Sequence, residues 1–92
     1  MTEKLTLEQR RSRADEAKRI IRNELVVETF ERLRAHYMLQ WEATAPDDIE
    51  TREACWNYLK VMASFREHFE AIIADGMYAV HEIKSFEAKA KN

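Results

Sequence analysis

The chain has 92 residues, of which 46% are hydrophobic and 35% charged, with one glycine, one proline and one cysteine. One domain at most is expected at this length, and the scarcity of turn-forming residues argues against an all-β fold. The formal net charge of −2 gives no general reason to expect nucleic acid or a membrane, and a single cysteine excludes an intramolecular disulfide. No apolar run has the length of a signal peptide or of a membrane span, so we expect an intracellular protein or part of a particle assembled inside a cell.

The N-terminal segment, residues 6–22, predicts a charged helical arm. Thr6 is its expected N-cap, with Gln9 as the capping-box partner three residues later. The apolar positions have helical spacing but form a narrow stripe, which is weak at its start. These positions are Leu7, Ala14, Ala17, Ile20 and Ile21. We expect this arm to dock only through its C-terminal end.

The second predicted helix covers residues 24–44. Asn23 is a suitable cap for a new helix, although a continuous helix through it fits the pattern almost as well. The apolar positions recur at steps of three and four, which is typical of one helix face. They are Val26, Phe30, Leu33, Tyr37, Trp41 and Thr44.

The third predicted helix covers residues 48–75 and follows a break at Pro46, which disfavours helical geometry in the residue before it. Asp47, three residues before Glu50, predicts a capping box, and Asp48 is the rival cap. Gly76 is expected to end this helix in a left-handed conformation. A short C-terminal helix is then predicted over residues 77–88.

The sequence therefore predicts an all-α fold with a single domain over residues 1–92. A connection of about four residues forces two long helices to be antiparallel neighbours. The predicted arrangement is an antiparallel helical hairpin, with an N-terminal helical arm and a short C-terminal helix.

The residue types that carry catalysis or bind metals are present without the spacing that such chemistry needs. The histidines, His36, His68 and His81, belong to no Glu-x-x-His or His-Glu-x-x-His pattern. Cys55 lies on an apolar helix face, where a lone cysteine is usually a small buried hydrophobe. We therefore expect no enzyme activity, no metal and no cofactor.

The N-terminal arm is the one basic part of the chain, because residues 1–22 hold seven basic and four acidic side chains. Helical spacing places Arg11, Lys18 and Arg22 along one side, where they are candidate phosphate contacts for nucleic acid. Acidic side chains are interleaved with them at i,i+3 and i,i+4 spacing, which favours a solvated or partner-docking helix instead.

The aromatic side chains are too many for the core of so thin a monomer, so some are expected to line an interface. The candidate interface residues are Phe30, Tyr37, Trp41, Trp56, Phe65 and Phe69. Their presence predicts a homo-oligomer or a protein partner.

The turn and its surroundings contain Trp41-x-x-Thr44-x-Pro46-x-Asp48, Glu50-x-Arg52-Glu53 and Trp56, followed by Phe65-Arg66 and Asp75-Gly76. Over residues 24–80 the chain resembles a group of short helical proteins encoded by bacteriophages and prophages. The resemblance implies a viral or prophage origin and a non-enzymatic role.

The function expected from these observations is that of an interaction or oligomerisation protein of a phage, serving as a virion-assembly or packaging accessory. A host-directed inhibitor, acting against host defence or in host takeover, is one alternative. A nucleic-acid-binding accessory that acts through the basic arm is the other.

Overall fold

The computed structural model describes residues 4–91 and contains three α-helices in that range. They are α1 (Leu7–Arg22), α2 (Glu24–Ala43) and α3 (Ile49–Ala90). No strand occurs among the described residues, which confirms the all-α prediction. The two ends of the predicted 1–92 domain lie outside the described residues.

The chain divides into two compact units. The α1 unit consists of the described residues 4–21 and 68–91, and the α2 unit consists of Arg22–Glu67. Helix α3 contributes its second half to the α1 unit and its first half to the α2 unit.

The starts of α1 and α2 are fixed by local side-chain caps. The Gln9 backbone N–H donates to Thr6 Oγ1 at 3.1 Å, and the Thr6 backbone N–H donates to Gln9 Oε1 at 2.9 Å. This is the predicted capping box. Asn23 Oδ1 accepts hydrogen bonds from the backbone N–H groups of Leu25 and Val26, at 2.9 and 3.2 Å. Of the two alternatives at Asn23, the structure therefore has the helix break.

Side chains also close the corner between α2 and α3. The Thr44 hydroxyl donates to the Trp41 carbonyl at 2.6 Å, which satisfies a carbonyl at the end of α2. Asp48 Oδ1 accepts from the Thr51 backbone N–H at 3.2 Å, so Asp48 caps α3 with its side chain. Its rival Asp47 contributes a backbone carbonyl to this corner instead, accepting from the Ile49 N–H at 3.0 Å.

In the α2 unit, aromatic rings join α2 to the first half of α3. The ring centroids of Phe30 and Phe65 are 5.7 Å apart, and the rings of Tyr37 and Tyr58 stack at 4.8 Å. The residue that comes later in α2 meets the residue that comes earlier in α3.

The predicted helix end at Gly76 is wrong, because α3 continues through this residue to Ala90 without a separate C-terminal helix. Gly76 has no positive φ. It is buried, and a Cβ added to it would overlap the Cβ of Ala14 and lie 3.3 Å from the Arg10 carbonyl oxygen. The glycine thus lets α1 approach α3 closely, which is a packing role and not a terminating one.

The expectation that α1 docks only through its C-terminal end is also wrong. Ala14 and Ala17, in the middle of α1, are buried, as is Ala79 of α3. Arg10, near the start of α1, forms a bidentate pair with Asp75, with its Nη2 atom 2.7 Å from Oδ1. Small side chains bring the helix backbones together, and the ion pair lies beside this contact.

Candidate interaction surface

Large apolar side chains remain exposed in both units, and none is fully buried among the described residues. The buried apolar residues of the described chain are all small: Ala14, Ala17, Cys55 and Ala79. In the α2 unit the exposed set includes Leu25, Leu39, Ile49, Trp56, Tyr58, Val61 and Phe65. In the α1 unit it includes Met77, Tyr78 and Phe86. Each unit therefore has exposed apolar surface.

Three of the six predicted interface residues come together in the α2 unit. Phe30 and Tyr37 of α2 are half-buried by rings of α3, while Phe65 is 54% exposed. Tyr58 completes this group, because its ring stacks on Tyr37 at an interplanar angle of 22°. Stacking of this kind orients both rings, and Tyr58 remains 53% exposed.

The other three predicted residues lie elsewhere. The Trp41 ring belongs to the corner between α2 and α3, where the Arg52 guanidinium lies 4.3 Å from its centroid. Arg52 also donates from Nη1 to Thr44 Oγ1 at 3.1 Å, so its contacts are structural. Trp56 is 54% exposed, and the Lys60 ammonium lies 4.9 Å from its ring centroid. Phe69 is half-buried in the α1 unit.

Sequence reasoning missed Leu33, Tyr58 and Val61 as candidate interface residues. Tyr58, Val61 and Phe65 follow one another at steps of three and four, so they share one face of α3. Phe30, Leu33 and Tyr37 have the same spacing on α2. We call these six residues the aromatic face: Phe30, Leu33, Tyr37, Tyr58, Val61 and Phe65. Their helical spacing was visible in the sequence, but it fits a covered core stripe equally well.

The predicted nucleic-acid contacts differ in their surroundings. Arg11 forms an i,i+3 ion pair with Glu8 at 2.6 Å. Lys18 is half-buried and lines a shallow cavity of about 250 Å³ next to Gly76. Arg22 is exposed at the end of α1. Arg11 is thus partly neutralised by a neighbour, which lowers its attraction for phosphate.

The strongest electrostatic feature is the pair between Arg10 and Asp75. The hydrogen bonds from the Arg10 guanidinium hold the pKa of the Asp75 carboxyl below its ordinary value of 3.8, and the same bonds raise the pKa of Arg10. Both side chains are partly accessible to water. The pair orients α1 on α3 and has a structural role.

Within residues 4–91, no three histidine, cysteine or carboxylate side chains lie close enough to hold a metal ion. Cys55 is a buried free thiol. Across the same residues, no buried side-chain nitrogen or oxygen lacks a hydrogen-bond partner. None of the three helices is both long and apolar enough to span a membrane.

No family model matches the chain, and the searches found no similar curated protein and no similar solved structure.

Proposed function

We propose that this chain is a non-enzymatic interaction protein of a phage or prophage, which self-associates and serves in virion assembly or packaging. The observation that carries this proposal is the exposure of large apolar side chains, while the buried apolar side chains among residues 4–91 are all small. The sequence resemblance to helical phage proteins supports the origin. It also supports a place of action in the host cytoplasm or the virion.

Apolar surface that is exposed to water lowers the free energy of an assembly when it becomes covered. Each 100 Å² of apolar surface removed from water contributes about 2.5 kcal/mol. Soluble monomers rarely leave large contiguous apolar patches uncovered, and such patches mark interaction sites. Val61 is 66% exposed between Tyr58 and Phe65, which are also exposed. Covering this group with protein would stabilise an assembly much more than scattered single residues would.

The arrangement of the α2 unit suits such a role. We propose that α2 and the first half of α3 form an antiparallel helical hairpin. The two ring pairs and the packing of the Arg52 guanidinium on the Trp41 ring support this arrangement. Two helices held side by side present a broad ridged surface. Helical bundles assemble by packing such surfaces against each other.

The test is the molar mass of the purified chain as a function of concentration. Sedimentation velocity from about 1 to about 500 µM should show the mass rising above that of the 10.9 kDa monomer, because interfaces of modest size dissociate in the micromolar range. A monomer at all these concentrations would refute self-association.

A second measurement separates the proposed role in the virion from action on the host. Mass spectrometry of purified, nuclease-treated particles should detect the chain at a constant ratio to the capsid protein. Its absence from particles, despite its expression during infection, would refute the virion role and favour a host-directed inhibitor.

A further inference from the structure

The aromatic face is bordered by uncharged residues on α3. The positions that share the face of Tyr58, Val61 and Phe65 are occupied by Ala54, Asn57 and Ser64, at helical steps of three and four. Charged residues make up 35% of the whole chain, yet none lies in this stripe from residue 54 to residue 65. Depletion of charge is the compositional mark of the centre of a protein interface.

Helix α2 has a matching stripe without Lys, Arg, Asp or Glu. Thr29, Leu33, His36 and Gln40 are spaced by four, three and four residues, so they lie on one side of the helix. The ring pairs fix how α2 faces α3, and the handedness of two antiparallel helices then places Leu33 on the same side as Val61. Both residues lie between the two ring pairs along the helix axes. The two stripes therefore form one surface, with Leu33 and Val61 near its centre.

Two charged contacts of the α2 unit lie on helix sides turned away from this face. On α2 the residues Glu28 and Arg32 form an ion pair at 2.7 Å. On α3 the Lys60 ammonium lies against the Trp56 ring. Both pairs are at helical positions that turn away from Leu33 and Val61. The charged side is stable in contact with water, whereas covering the other side lowers the free energy of the assembly.

We propose that the aromatic face is covered by the same face of a second copy of this chain, around a two-fold axis near Leu33 and Val61. The proposal rests on the function proposed above and identifies its partner. A two-fold axis brings each residue near it close to its own copy, so charged groups there would meet like charges. A face without charged side chains avoids this conflict and can complement itself.

The area of the face fits a weak dimer. An aromatic side chain has about 200 Å² of surface and a small one roughly half of that. On this basis the two stripes together have on the order of 700 Å² of accessible surface per copy. A standard interface buries about 800 Å² per partner. The proposed contact is therefore at the lower end of specific interfaces, the size class in which weak and transient complexes are found.

The experiment compares Val61→Glu with Leu39→Glu in sedimentation equilibrium. Val61 and Leu39 are equally exposed, at 66% each, so neither glutamate has to be buried in the folded chain. Leu39 lies on the far side of α2, which makes it the matched control. Each two-fold interface contains the new glutamate twice, so Val61→Glu should raise the dissociation constant by at least about 100-fold. Leu39→Glu should change it less than about threefold.

Cross-linking provides a second, independent test. A Val61→Cys variant should form a covalent dimer rapidly with a short bismaleimide, because the two introduced thiols lie near the axis. The wild-type chain should not, because its Cys55 thiol is buried. A Leu39→Cys variant that cross-links as fast as Val61→Cys would overturn the proposed face.

The outcomes separate the two proposals. A wild-type chain that is monomeric at about 500 µM refutes self-association and this interface together. A wild-type chain that associates, and keeps its affinity in Val61→Glu, overturns the aromatic face as the contact but leaves self-association standing. Weakening by Val61→Glu alone, with cross-linking at position 61, supports the two-fold contact.

Discussion

Replacing Gly76 with alanine tests how α1 packs on α3. In an exposed helix, Gly→Ala stabilises by about 1 kcal/mol, because alanine has the higher helix propensity. At Gly76 the added Cβ would overlap the Ala14 Cβ well inside van der Waals contact. Forcing an extra carbon into a contact this tight costs about 2–3 kcal/mol, the upper part of the usual range, against which the propensity gain of about 1 kcal/mol is set. We therefore expect Gly76→Ala to lower the free energy of unfolding by about 1–2 kcal/mol.

A double-mutant cycle identifies the overlap as the cause. Ala14→Gly removes the opposing Cβ and on its own should cost about 1 kcal/mol of helix propensity. The double variant restores the room, since the two remaining neighbours, the Arg10 carbonyl oxygen at 3.3 Å and the Ala14 Cα at 3.4 Å from the added Cβ, need only a small shift. It should be more stable than Gly76→Ala alone, with a coupling energy of at least about 1 kcal/mol.

The assay is urea unfolding followed by far-ultraviolet circular dichroism, at one fixed protein concentration because self-association changes the apparent stability. A Gly76→Ala variant that is about 1 kcal/mol more stable than the wild type, as expected for an exposed helix, would contradict the overlap with Ala14. Simple additivity of the two substitutions would contradict it as well.

Three further predictions concern the caps, the ion pair and the corner. Asn23→Ala should lower the free energy of unfolding by about 1 kcal/mol, whereas Asn23→Asp should not. Equal urea midpoints for the alanine and aspartate variants would contradict the capping role. Since Arg10 holds the pKa of Asp75 below 3.8, the carboxylate stabilises the fold above about pH 4, and this contribution is lost as the pH falls through the lowered pKa. The stability difference between wild type and Asp75→Asn should therefore shrink between pH 7 and pH 3, and a constant difference in urea titrations would count against the pair. Thr44→Val removes a hydroxyl that also accepts from Arg52, so it should lower the free energy of unfolding by about 1 kcal/mol, and Thr44→Ser should lower it less. An unchanged free energy of unfolding in the valine variant would show that the corner does not depend on this hydroxyl.

Local features of the fold could be predicted from the sequence because their causes are local. The capping box of Thr6 and Gln9 needs only residues three apart, and the break near Pro46 follows from backbone sterics. The sequence is compatible with both a helix break and a continuous helix at Asn23, because an asparagine that can cap a helix can also lie within one. At Asp47 and Asp48 two equally suitable caps were adjacent, and the geometry of the corner selected Asp48.

The role of Gly76 cannot be predicted from its local sequence. A glycine after a helical run has the same sequence signal whether it ends the helix or lets another helix approach. The difference depends on Ala14, which is 62 positions away, and no local pattern links the two residues. The small residues Ala14 and Ala17 of α1 and Ala79 of α3 were a usable signal, because close helix packing needs small side chains on both partners.

The candidate interaction surface could be predicted only in part, for a similar reason. Periodicity identifies a helix face as apolar but does not say what covers it. Phe30, Tyr37 and Phe65 were predicted and lie on the aromatic face, whereas Trp41 lies at the corner between α2 and α3. Val61 was missed, because its importance comes from the uncharged residues around it and from its exposure in the folded chain.

The most direct test of the aromatic face is an isotope-filtered NOESY experiment on an equimolar mixture of labelled and unlabelled chains, at a concentration above the dissociation constant. The two-fold contact predicts cross-peaks between the Val61 methyl groups of one copy and the Tyr58 or Phe65 ring protons of the other. The absence of such cross-peaks, or intermolecular cross-peaks from the Leu39 methyl groups in their place, would contradict it.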